Sequence, residues 1–153
     1  MKKLKSINLI IIFLLFVSCG YSPLYKDLSK IKFSVTLNKI NGDRKINNLI
    51  KSKLSTYNAT NAEKNYDIDI KTKYTKDTIA KDTTGAATEY KLTINASFKV
   101  NSNDYEKEFI FQESFNMKSI NDKLEEQDYE NNIQSNLVNT IASKLVLQLS
   151  LVK

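Results

Sequence analysis

The chain has 153 residues, 26% charged and 41% hydrophobic, with 3 Gly, 1 Pro, 1 Cys, no His and a net charge of +6. That length suits a single domain. Without His the usual imidazole base and commonest metal ligand are missing, and one Cys makes no internal disulfide, Fe–S cluster or Cys-rich zinc site. Catalysis and metal binding are disfavoured, and binding or scaffolding is favoured.

The positive charge is concentrated at the start. Lys2, Lys3 and Lys5 precede an apolar run from Ile7 to Val17, and no acidic residue occurs before Asp27. Charged n-region, apolar h-region and the small Ser18-Cys19-Gly20 form the pattern of an export signal over residues 1–18. The run is too short for a membrane-spanning helix, which needs about 20 residues. Phe16-Val17-Ser18-Cys19 resembles the lipobox of bacterial lipoproteins, in which the Cys becomes the acylated N-terminus. Cys19 is therefore the expected lipidation site, carrying a diacylglycerol and an N-acyl chain. More than one chain is needed for stable anchoring. In the lipoproteins it resembles, an Asp directly after the Cys retains the protein at the inner membrane, so Gly20 at that place implies the periplasmic face of the outer membrane. Without residues 1–18 the chain keeps 20 basic and 17 acidic groups, so the mature part is only +3. That balance and the expected compartment argue against a nucleic-acid partner.

Residues 19–30 contain the one Pro and read as a lipidated tether, with Tyr21 and Tyr25 outside any periodic core pattern. A domain over residues 31–153 follows. Ile31, Phe33, Val35 and Leu37 alternate with polar residues and predict a first strand. Asn41-Gly42-Asp43 predicts a turn with Asp43 as helix cap, and Ile46, Leu49, Ile50, Leu54 and Tyr57 recur at helical spacing. Tyr66, Ile68, Ile70, Thr72 and Tyr74 predict a second strand, whose other side carries Asp67, Asp69, Lys71 and Lys73. After a loop over 81–87, Tyr90, Leu92, Ile94, Ala96, Phe98 and Val100 give the clearest alternation. The fourth strand places Tyr105, Phe109, Phe111 and Phe115 on one side, with Lys107 and Glu113 in the same register. A long helix is capped by Ser119 or Asn121, and Ile133, Leu137, Ile141, Leu145 and Leu149 form its i+4 ladder, widened by Val138, Ala142, Val146 and Val152.

The predicted order is β-α-β-β-β-α. The fold class is α+β, a four-stranded, mainly antiparallel sheet with two helices packed on one face. Among charged groups, Glu125, Glu126 and Asp128 read as solvated acids complementing the positive end of the long helix. Lys71, Lys73, Lys76, Lys81 and Lys91 gather along strands two and three, and several project from the polar sheet face or its end. Lysines so placed suit phosphates or a solubilising surface. Tyr66, Tyr74, Tyr90 and Tyr105 fall in the inward strand register.

Several stretches together resemble the LPS-assembly lipoprotein family (LptE-like). They are Cys19-Gly20-Tyr21, Ile79-Ala80-Lys81-Asp82-Thr83 with Glu89-Tyr90 beyond it, Asn95-Ala96-Ser97, Ser114-Phe115 and Lys123-Leu124-Glu125-Glu126-Gln127-Asp128. The resemblance implies an outer-membrane lipoprotein that plugs and helps assemble the large β-barrel inserting lipopolysaccharide (LPS), and that binds LPS. In the family a basic residue at the helix opening contributes to ligand binding, and Lys123 matches it. A family Arg in the preceding loop has no counterpart in Thr83–Thr88, which leaves Lys81 and Lys91 as substitutes. An alternative is a general periplasmic ligand-binding lipoprotein without a barrel partner. A lipid-anchored hydrolase needs a nucleophile and base that the sequence does not display.

Overall fold

The computed structural model describes residues 33–57, 61–103 and 105–152. The expected signal, Cys19, the tether with Tyr21 and Tyr25, and Ile31 lie outside the described residues. The elements run β1 (Phe33–Gly42), α1 (Arg44–Leu54) with a 3-10 turn at Ser55–Tyr57, β2 (Lys64–Lys81), β3 (Ala87–Ser102), β4 (Tyr105–Lys118) and α2 (Lys123–Leu151). The four strands form one sheet in sequence order. β2, β3 and β4 are an antiparallel meander, while β1 pairs parallel to β2. A helix between β1 and β2 permits this, because parallel neighbours need a long crossover.

β1 is shaped by two local devices. Between Leu37 and Ile40 the pairing with β2 shifts, so Leu37 meets Ile68 and Ile40 meets Ile70. The extra residue is held by the Lys39 N–H, which donates to Asp69 Oδ1 at 3.1 Å. Gly42 then ends the strand at φ +101°, and a Cβ there would lie 1.9 Å from the Thr72 carbonyl oxygen. Only glycine fits both the backbone angle and the contact. Asp43 caps α1 by accepting from the Ile46 N–H at 2.9 Å.

The core lies between the helices and one sheet face. Ile68, Ile70, Leu92, Ile94, Phe98 and Val100 are buried from the sheet. Ile46, Ile50 and Leu54 of α1, and Ile133, Leu137, Val138, Ile141, Leu145 and Leu149 of α2, are buried against them. Each such side chain contributes about 1.5–3 kcal/mol by leaving water. Tyr66 is buried, whereas Tyr74, Tyr90 and Tyr105 pack half-buried at the margins.

Four expectations are refined. β2 continues past Tyr74 to Lys81, and its last residue pairs with Ala87, so the loop shrinks to residues 82–86. Asp82 closes that loop by accepting from the Thr84 and Ala86 N–H groups. The α2 cap is Asp122, not Ser119 or Asn121, since its carboxylate accepts from the Leu124 N–H at 2.8 Å. Phe115 keeps the inward register yet is 42% exposed, because β4 is the sheet edge and its face there is not fully covered.

Candidate functional site

β2 and β3 outrun β1: Gly42 is the last β1 residue paired, with Thr72, while β2 runs on to Lys81. Against this projecting end the inward register of β2 changes character, from Ile68 and Ile70 to Thr72, Tyr74 and Lys76. The stripe on α2 changes in step. Val146, Ala142 and Val138 continue at i−4 spacing into Gln134, Glu130 and Glu126. The helix–sheet interface is thus apolar toward one end and polar toward the α2 N-terminus.

Lys76 is the hub of the polar half. Its Nζ lies 2.8 Å from Glu130 Oε2, 3.3 Å from Glu126 Oε1, and 4.3 Å from the centre of the Tyr90 ring. The Tyr74 hydroxyl donates to Glu130 Oε1 at 2.6 Å, and the Gln134 amide donates to the same oxygen at 3.2 Å. Glu126 Oε2 accepts from the Ile120 N–H at 3.0 Å and the Ser119 hydroxyl at 2.9 Å. The Ser119 N–H in turn donates to the Thr88 carbonyl at 2.9 Å, tying the approach to α2 onto the start of β3.

The protonation equilibria follow this geometry. The Ile120 N–H, helped by Ser119 and Lys76 and opposed by burial, pulls the Glu126 carboxyl from 4.5 down to about 2. Burial opposes the charges of both Lys76 and Glu130, but their mutual contact outweighs it, raising Lys76 and lowering Glu130. Burial first, then the Glu130 carboxylate, raises the Tyr74 hydroxyl. Lys76, Glu126 and Glu130 are therefore a fixed ion cluster at neutral pH. This corrects the reading of Glu126 as a solvated acid, since it is only 6% exposed, while Glu125 and Asp128 are exposed as expected. It also corrects Lys76, whose ammonium lies on the helix side of the sheet. The i−4 continuation of the α2 stripe is the signal for Glu126, and the two-residue continuation of the β2 inward register from Thr72 and Tyr74 is the signal for Lys76.

The three lysines singled out from sequence share this end of the molecule but not one face. Lys123 opens α2 with its side chain 76% exposed and its Nζ 3.7 Å from Glu126 Oε1. Lys81 is exposed at the end of β2. Lys91 is exposed on the open sheet face, paired with Asp77 of β2 and Asn116 of β4. That open face carries Lys71 and Lys73 on β2, Thr93, Asn95 and Ser97 on β3, and Gln112 and Ser114 on β4. Ile110 of β4 is an exposed apolar residue on it, at 70%. Lys99 pairs with Glu106 at 2.7 Å there. No helix among the described residues is long and apolar enough to cross a membrane, and no metal-holding cluster of acidic or Cys side chains occurs among them.

The fold is similar to those of solved lipoproteins. Rare lipoprotein B from Shewanella oneidensis matches with a TM-score of 0.53 at 13% identity, over 74% of this chain and 92% of that one. A minor lipoprotein from Acinetobacter baumannii matches with a TM-score of 0.51 at 15% identity, over 80% of this chain and 94% of that one. At such identities these likenesses concern the fold. No curated protein matches the chain in sequence. Residues 33–149, from the first described strand into the last turns of α2, match the LptE lipopolysaccharide-assembly family model, and the chain belongs to that family.

Proposed function

We propose that the protein is a lipid-anchored, non-enzymatic component of outer-membrane LPS assembly. It is held to the inner leaflet through Cys19, sits within the lumen of the large β-barrel that inserts LPS, and assists that insertion. The observation carrying this reading is the family match over residues 33–149. The structure adds physical support. A sheet face of Thr, Asn, Ser, Gln and Lys suits the polar interior of a large barrel. Lys123, Lys81 and Lys91 offer cations around one end for the phosphates of LPS. Lys123 is the best placed of them, since Asp122 and Glu126 fix the backbone beneath it while its ammonium stays in solvent.

The deciding experiment is affinity purification from outer membranes with identification of the partner. A stoichiometric large barrel protein is expected, and a chain recovered without one selects a ligand-binding lipoprotein instead. Cys19→Ala should release the mature chain from membranes, and unchanged sedimentation with them refutes the anchor. Lys123→Glu should weaken LPS binding without lowering the melting temperature, and unaltered binding refutes its role.

A further inference from the structure

A second cationic feature lies where β1 gives way to α1. A cleft of about 320 Å³ is lined by Ile40, Gly42, Arg44, Asn47, Asn48 and Lys51. Arg44 is the one arginine of the chain. Arg44, Asn48 and Lys51 stand four and three residues apart, so they share one face of α1 over two turns. The shift between Leu37 and Ile40 brings Ile40 to the helix side of the sheet, and the tight Gly42 turn sets α1 beside it.

The lining holds two cationic side chains and no acidic one. Arg44 and Lys51 are exposed, and neither has an ion-pair partner among the described residues. Asn47 is already used, since it accepts from the Thr72 hydroxyl at 2.8 Å and donates to the Asn41 carbonyl at 3.2 Å. Lys45, on another side of the helix, donates to Asn131 of α2. α1 itself contains Arg44, Lys45, Lys51 and Lys53 and no acidic residue, and the Asp43 carboxylate at its cap is occupied by the Ile46 N–H. A guanidinium and an ammonium in one lining, with no acidic side chain beside them, favour an anion. A cationic peptide is repelled. Ile40, 38% exposed, gives the cleft an apolar wall beside its charge.

We infer that the Arg44–Lys51 cleft binds the phosphodiester headgroup of an anionic membrane phospholipid, with Ile40 against the adjoining glycerol and acyl carbons. The choice of a membrane lipid rests on the proposed anchor at Cys19, which keeps a phospholipid leaflet within constant reach of the chain.

The test uses the purified, 15N-labelled full chain in non-ionic detergent, titrated with short-chain phosphatidylglycerol. Separate arms use phosphatidylcholine of the same chain length, inorganic phosphate and LPS. Saturable shifts of the Gly42, Asn48 and Lys51 amides are expected with phosphatidylglycerol, weakening as salt rises. R44Q/K51Q should weaken this binding about 25-fold, since each cation near an anionic headgroup is worth about fivefold. Arg44→Lys should fall between, because it keeps the charge and loses the planar fork. Unchanged affinity in R44Q/K51Q with retained melting temperature overturns the inference, and so does insensitivity to salt in the wild type. Equal response to phosphatidylcholine overturns the recognition of an anionic headgroup. Equal response to inorganic phosphate, or tighter binding of LPS through the same amides, overturns the membrane-lipid assignment. The titration needs no anchoring, so a Cys19→Ala chain should give the same curve, and failure of the anchor is read separately by fractionation.

Discussion

Glu126→Gln is the sharpest perturbation of the polar half of the core. The substitution keeps the shape and an acceptor for the Ile120 N–H. It removes the charge that faces Lys76 at 3.3 Å and leaves that ammonium with Glu130 alone. The magnitude follows from linkage. A carboxyl held at about 2 against an ordinary 4.5 stabilises the fold by about 3 kcal/mol at neutral pH, at about 1.36 kcal/mol per pH unit. Because the folded value is depressed, this stability is fully present above about pH 4.5. It drains away as pH falls toward about 2. Urea unfolding of the purified chain should therefore show a loss of about 2–3 kcal/mol at pH about 7, a midpoint lower by about 1–2 M. At about pH 3 roughly half of that difference should remain. An equal loss at both pH values would mean that Glu126 acts by packing rather than by charge. A loss below about 0.5 kcal/mol at neutral pH would refute the ion cluster as a source of stability.

Other outcomes follow from particular contacts. Gly42→Ala should destabilise by about 3 kcal/mol or more, since the new Cβ meets the Thr72 carbonyl at 1.9 Å in a left-handed backbone; a melting temperature within about 2 °C of wild type contradicts that geometry. Phe98→Ala, in a fully buried ring 6.0 Å from that of Phe111, should cost about 3–5 kcal/mol by urea unfolding, and a cost under about 1 kcal/mol would mean the ring is not core. Thr72→Val strips the buried Asn47 Oδ1 of its 2.8 Å donor and should cost about 1–3 kcal/mol, whereas a neutral result would mean another donor replaces the hydroxyl. Ile110→Asp, on the open face at 70% exposure, should leave the melting temperature within about 2 °C of wild type yet reduce co-purification with a barrel partner; undiminished recovery argues that this face does not meet the barrel wall.

Much of this molecule is written in local periodicity. A strand repeats every two residues and a helix every 3.6, so the inward faces of β2, β3 and α2 can be read directly, and Asp43 announces the start of α1. The order β-α-β-β-β-α and the placement of both helices on one sheet face follow from the same patterns, because each apolar face needs a partner. What periodicity cannot express is how distant segments meet. The parallel pairing of β1 with β2, the shift at Leu37 that brings Ile40 to the helix side, and the projection of β2 beyond Gly42 depend on long-range register. The site depended on this more than the fold did. Glu126 looks like any acid in a first helical turn until Ser119, Ile120 and Lys76 close around it. Lys76 looks like one more surface lysine until α2 covers its strand. Charge carries no intrinsic address: sequence sets which residues are ionisable, and only tertiary packing decides which of them lose their water and which, like Arg44, Lys51 and Lys123, keep it.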